Sequence, residues 1–284
     1  MIMERKWYKQ GNGLLREMKE WLPGPHELIF WYLGQCGFVY KKEAIVYIDP
    51  VLNSLVDEKG DNMRYYPSPF SPDKVTADYV LCTHGHKDHL ALETLTGIAK
   101  ADLHTKFIVP GDCVETLVEA GIDRPRIIEA CAKEELQLPG LTVYPIQAAH
   151  PVHQKTAQGK DVALCYQLTM GNIRILHLGD TYLTQQLLND LLALKAPDLF
   201  FAPINGGDYF RTARDCIGNL NMLETANLAI MLKAAVTVPT HYDMVKGNTV
   251  DPLDFVRILR EIDDAARWQL PALGEGVIYL PLSF

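Results

Sequence analysis

Thr83-His84-Gly85-His86-Lys87-Asp88-His89-Leu90 places three histidines and one aspartate within six positions. Imidazole and carboxylate are the ligands preferred by zinc and its neighbours in hydrolytic sites. Upstream, Asp78-Tyr79-Val80-Leu81-Cys82 is a short apolar run that reads as a buried strand, and downstream Leu90 to Lys100 reads as a helix. The cluster therefore belongs on a loop at the carboxyl end of a strand, where α/β proteins build their sites. His84 and His86 project to one side of an extended loop. Asp88 and His89 follow at the turn into the helix and can serve a second position. One loop can thus supply ligands to each of two metals, which two-metal hydrolases hold about 3.5–4 Å apart. The plain alternative is a His-rich surface loop that chelates metal incidentally.

A built site requires more such residues at the ends of later strands, and the sequence has them. Leu141-Thr142-Val143-Tyr144-Pro145-Ile146 reads as a strand leading through Gln147-Ala148-Ala149 to His150. Asn172-Ile173-Arg174-Ile175-Leu176-His177-Leu178 leads to Gly179-Asp180, and Ala235-Val236-Thr237-Val238-Pro239 leads to Thr240-His241. His150 stands immediately at its strand's end and is preferred over His153. His177 reads as a satisfied core histidine, with a hydrogen bond to a ligand as the other reading.

With these residues in place, the chain resembles metallo-β-lactamase-fold hydrolases, which carry an HxHxDH signature and then His, Asp and His in this order. The resemblance covers about residues 28–284, leaving 1–27 as an N-terminal extension that packs on the domain or on a neighbouring subunit. Tyr32 to Phe38 and Ile45-Val46-Tyr47-Ile48-Asp49-Pro50 are similar to the family's opening strands and turn. Trp31-Tyr32-Leu33-Gly34, His177-Leu178-Gly179-Asp180 and His241-Tyr242-Asp243 with Asn248 most resemble the L-ascorbate-6-phosphate lactonase group. That group has a carboxylate at the position of His150. The fold implied is α/β, an αββα four-layer sandwich of two sheets faced by helices.

The resemblance implies that His84, His86 and His150 hold one metal and that Asp88, His89 and His241 hold another, with Asp180 bridging. The cofactors are then two divalent ions, Zn2+ or Mn2+, with Fe as a further option. A metal-bridging hydroxide opens a lactone or cleaves an ester of a small polar substrate, phosphorylated or not, and Asp88 orients it or shuttles its proton. Asp49 reads as a partner of a ligand histidine or as an Asp-Pro turn. Asp243 and Asn248 rim the pocket, as anchors, as substrate contacts or as turn residues. Arg211 and Arg214 are candidates for gripping an anionic group, since the guanidinium fork matches phosphate and carboxylate. The alternatives are a phosphodiesterase of phospholipase D-like type and a mononuclear iron dioxygenase. A diiron oxidoreductase would have Glu where this chain has His86.

The rest of the chain sets the bounds. Its 284 residues, 48% hydrophobic, can bury a substantial core. A net charge of −8 with no basic run argues against nucleic acid and leaves a small anionic molecule as the expected partner, with homo-oligomers allowed. There is no apolar run long enough for a membrane helix and no signal-like apolar core at the start, which points to the cytoplasm. The six cysteines include no CxxC pair and suit reduced thiols. Helices are expected near 12–21, 91–99, 112–120, 183–193, 220–233 and 252–263. In 220–233 the expected core stripe is Leu220, Leu223, Leu228, Met231 and Leu232. The aromatic loop 51–73 precedes the metal motif and can line a pocket.

Overall fold

A computed structural model of the chain describes residues 6–214 and 216–281. The first half runs α1 (Gly11–Glu20), β1 (Leu28–Gly34), β2 (Gly37–Lys41), β3 (Ile45–Ile48), β4 (Tyr79–Leu81), α2 (Leu92–Ala101), β5 (Lys106–Pro110), α3 (Val114–Glu119) and β6 (Ile127–Ala130). The second half runs β7 (Leu136–Leu138), β8 (Leu141–Gln147), β9 (Leu164–Met170), β10 (Ile173–His177), α4 (Gln185–Leu192), β11 (Leu199–Pro203), α5 (Tyr209–Thr212), α6 (Met222–Met231), β12 (Val236–Thr240), α7 (Pro252–Ile262) and β13 (Gly276–Tyr279). One sheet has the order β13-β1-β2-β3-β4-β5-β6 and the other β12-β11-β10-β9-β8-β7. The last strand thus returns to the first sheet, antiparallel to β1 with Phe30 opposite Val277.

Every residue of β1 is buried, because both faces of its sheet are covered. Alternation divides them. Leu28, Phe30 and Tyr32 join the core that the second sheet and its helices complete, where Phe201 meets Phe38 at 4.7 Å and Phe30 at 5.5 Å between ring centroids. Ile29, Trp31 and Leu33 point the other way, into an apolar layer shared with Leu14 of α1, Leu95 of α2 and Leu117 of α3. Helices α4, α6 and α7 cover the second sheet through Leu187, Leu228 and Phe255. The result is the αββα sandwich. Prolines fall where a ladder tolerates them: Pro239 lies on the edge strand β12, and Pro145 lies past the short reach of β7.

Residues 8–20 are stitched to this body. The Tyr8 amide donates to the Leu273 carbonyl at 2.9 Å, Trp31 Nε1 donates to Glu17 at 3.0 Å, and Lys41 Nζ caps the end of α1 at the Met18 carbonyl, 2.7 Å away. Each expected helix is present, with ends shifted by a few residues. The stripe expected on 220–233 needs correction. Leu220, Leu228 and Leu232 are buried, but Leu223 and Met231 are 55% and 49% exposed. Thr225, Ala226 and Ala229 share the inner face with Leu228, and the Thr225 hydroxyl donates to the Pro203 carbonyl at 2.6 Å.

Candidate metal centre

Strand ends of both sheets deliver the site. The loop after β4 carries His84, His86, Asp88 and His89; β8, β10 and β12 deliver His150, Asp180 and His241. The exit from β10 passes so close to Thr83 that a Cβ on Gly179 would lie 2.6 Å from the threonine methyl, and Gly179 has φ +58°. Only glycine fits there, and that close approach aims Asp180 inward. Three non-glycine residues around the site, Gln35, Asp49 and His241, also hold positive φ, at 58°, 43° and 56°. Such backbone strain is held where surrounding bonds over-determine it.

All seven expected ligand residues converge. The ligand atoms of His84, His86 and His150 lie within 4.8 Å of one another, as do those of Asp88, His89 and His241. Asp180 stands between the two triads. Its Oδ1 is 3.4 Å from His89 Nε2, and its Oδ2 is 3.2 Å from His241 Nε2 and 3.9 Å from His150 Nε2. His86 is exposed and Asp88 half-buried, so the centre opens to solvent on their side. Cys36 is a further donor near Asp180 and His89, its thiol 3.7 Å from Asp180 Oδ1.

The two triads differ in charge. Burial lowers His84 well below its ordinary value and brings His150 down to about 4, so both rings are neutral and ready to ligate. Burial also opposes charge on His89 and His241. There, however, Asp180, Asp49 and Asp88 outweigh it at His89, and Asp180 and Asp88 raise His241 to about 9. Against burial, the same histidines hold Asp88 and Asp180 well below the carboxylate range. The donor set fits divalent cations. His84 Nε2 and His89 Nε2 are buried without a hydrogen-bond partner, an arrangement that costs free energy unless a cation takes the lone pair of His84 and displaces the proton of His89.

Behind the ligands, Asp49 Oδ2 lies 2.7 Å from His89 Nδ1, and Asp49 also accepts from the Thr83 amide at 2.8 Å and its hydroxyl at 2.7 Å. It is thus the partner of a ligand histidine, a support that fixes tautomer and ring angle. His177 is a core histidine: Nε2 donates to the Cys36 carbonyl at 3.0 Å and Nδ1 accepts from Gly179 at 3.1 Å. His153 lies outside the cluster, 2.7 Å from the Thr184 hydroxyl.

The candidate substrate contacts make bonds within the chain. Asp243 accepts from the Gln35 amide at 3.0 Å and from Tyr66 Oη at 2.8 Å. Asn248 Oδ1 accepts from Asn205 at 3.0 Å and from Arg211 Nη1 at 2.7 Å, and Arg211 also donates to Asp208 and to the Asn205 carbonyl. These residues brace loops within the chain. Arg214 is exposed, with Nε on the Phe210 carbonyl at 3.1 Å. Of the aromatics of loop 51–73, Tyr66 and Phe70 are buried and Tyr65 is half-buried, and all three line one cavity. Gln35 escaped the sequence reading altogether, because an amide is not a ligand type that histidine spacing would flag. The one available signal is its place between two glycines in Gly34-Gln35-Cys36-Gly37.

The beta-lactamase superfamily domain matches residues 29–241, and this chain belongs to that family. A UPF0173 metal-dependent hydrolase of Archaeoglobus fulgidus is 27% identical over 243 residues, 81% of this chain and 89% of its own length. An isothiocyanate hydrolase from Delia radicum gut bacteria shares the fold with a TM-score of 0.69 at 17% identity, covering 89% of this chain and 99% of that one. CmlA, a diiron β-hydroxylase from Streptomyces venezuelae, gives 0.64 at 14% identity, covering 91% and 55%. The architecture is the metallo-β-lactamase fold. Proteins of both chemistries share it, so the fold alone does not select the reaction.

Proposed function

We propose that the chain is a metal-dependent hydrolase that holds two divalent cations, Zn2+ or Mn2+, and opens a lactone or cleaves an ester of a small, polar, anionic substrate. The observation that carries this reading is the pair of triads joined by Asp180, with buried imidazole nitrogens that have no hydrogen-bond partner. Such an arrangement suits two cations sharing one carboxylate. The name of the Archaeoglobus relative supports the hydrolytic class. The lactonase character rests on the sequence resemblance.

Bound cations would supply a nucleophilic water at neutral pH and Lewis-acid stabilisation of the oxyanion. The protein's own groups do the rest. His84 and His150, neutral because buried, hold the first position together with the exposed His86. Asp88, ionised and partly open to solvent, takes the proton of the attacking water and returns it to the oxygen that leaves when the C–O bond breaks. Asp180 keeps both positions in register. Arg211 is engaged inside the chain, which leaves Arg214, on the exposed turn after α5, as the cation for the substrate's anionic group. The fully buried Cys36 would be kept a neutral thiol by that burial.

The test is elemental analysis of the purified protein beside a hydrolysis screen of lactones, carboxylic esters and phosphodiesters with each reconstituted metal. The expected result is about two equivalents of zinc or manganese with lactone or ester turnover, both lost in His86→Ala and Asp180→Ala. Turnover of phosphodiesters alone would select the phosphodiesterase. About one equivalent of iron with oxygen uptake and no hydrolysis would overturn the proposal in favour of a dioxygenase.

A further inference from the structure

Gln35 is fully buried and lies on the two-residue link between β1 and β2. Its main chain is held from both sides by the segment that carries His241. The Gln35 amide donates to Asp243 at 3.0 Å, and its carbonyl accepts from the His241 amide at 3.0 Å. Its side-chain Nε2 lies 2.8 Å from Asp88 Oδ2 and 2.8 Å from His241 Nε2. One side chain thus touches two ligand residues that come from opposite halves of the sandwich. The backbone at this position has φ +58°, a conformation that favours glycine in tight hairpin links. A buried glutamine at a glycine-favouring position is explained if its amide is used.

We propose that Gln35 is a positioning residue for the second triad, its amide tying Asp88 to the His241 segment so that both face one cation. A carboxylate oxygen has two lone pairs, so Asp88 Oδ2 can accept the amide N–H and still face a metal. Without that bond, Asp88 sits on a half-exposed loop with only its longer contacts to His89 and His241, at 3.7 and 3.6 Å. A second cation would then have to order it on binding. This inference rests on the two-cation reading above, because a single-cation protein has no second position to preorganise.

The test is a zinc titration of the metal-free full-length chain against a chromophoric chelator, comparing wild type with Gln35→Gly and Gln35→Met. Glycine relieves the φ strain, and methionine keeps the shape but lacks the donor. The expected result is an unchanged first affinity and a second affinity weaker by about 10–100-fold in both variants, the range seen when outer partners of metal ligands are removed. Gln35→Gly should unfold, when metal-free, at or above the wild-type midpoint. Two affinities equal to wild type in both variants would reduce Gln35 to a turn residue and overturn the inference, as would equal loss at both steps. Wild type that binds one equivalent would instead overturn the two-cation reading, and this inference with it. The two failures are distinguishable, since one appears in the wild type and the other only in the variants.

Discussion

His241 shows how single residues set the behaviour of the centre. Its imidazole is buried yet raised from an ordinary value near 6.5 to about 9, because Asp180 and Asp88 reward its charge more than burial penalises it. A group raised on folding adds stability that is fully present below about 6.5 and lost as pH climbs through about 9. Asp88 and Asp180 are depressed and titrate far below that window. The metal-free protein should therefore lose stability steadily from pH 6.5 to 9. Zinc uptake at the second triad must displace those protons, so it should release protons and tighten over the same window. Thermal unfolding of the metal-free chain across this range, with calorimetry of zinc binding in buffers of different ionisation enthalpy, checks both. A flat stability profile with no proton release would count against the charge state described. The seven candidate ligand residues were legible in sequence because histidine and aspartate at strand ends are rare without a use. Gln35 was not, since its role comes from proximity to Asp88 and His241, 53 and 206 positions away.

Elements decide what borders the site. The segment between β11 and α6 carries α5 and is pinned by Arg211, whose donors reach Asp208, Asn248 and the Asn205 carbonyl. Burial raises the Cys216 thiol, and Arg211 opposes that rise. In sequence, Arg211 and Arg214 looked equivalent. Only the helical turn of α5 sends one into a buried amide network and leaves the other exposed. Arg211→Ala should loosen residues 206–218, giving up about 1.5–3 kcal/mol of local stability, the range for hydrogen bonds to a charged group. Hydrogen exchange there should then quicken by about 10–100-fold with metal stoichiometry unchanged. Unaltered exchange would show that the strap is idle. Helix α6 teaches the same lesson in its packing. Periodicity marked Leu223 and Met231 as core, yet the buried face of α6 is made by Thr225, Ala226, Leu228 and Ala229.

At the scale of the whole molecule, strand ends of both sheets converge on the candidate metal centre, so filling it would link the halves. The loop after β4 belongs to the first sheet, while His150, Asp180 and His241 follow strands of the second. Cations bound there should stabilise the native state by about 2.7 kcal/mol at a hundredfold excess over the dissociation constant, more for tighter binding. Treatment with a chelator should accordingly lower the unfolding midpoint, and zinc should restore it. A midpoint indifferent to both would mean that the halves are joined by packing alone. Among the described residues no helix is long and apolar enough to cross a membrane. By itself the sequence determined the candidate ligand set, the order in which strands deliver it and the α/β class, because each is written locally in hydrophobic period and residue type. The tertiary structure alone decided which residues brace those ligands. It placed Asp49 behind His89, Gln35 across Asp88 and His241, and β13 beside β1. Such contacts join segments far apart in the chain, and no local pattern encodes their distance.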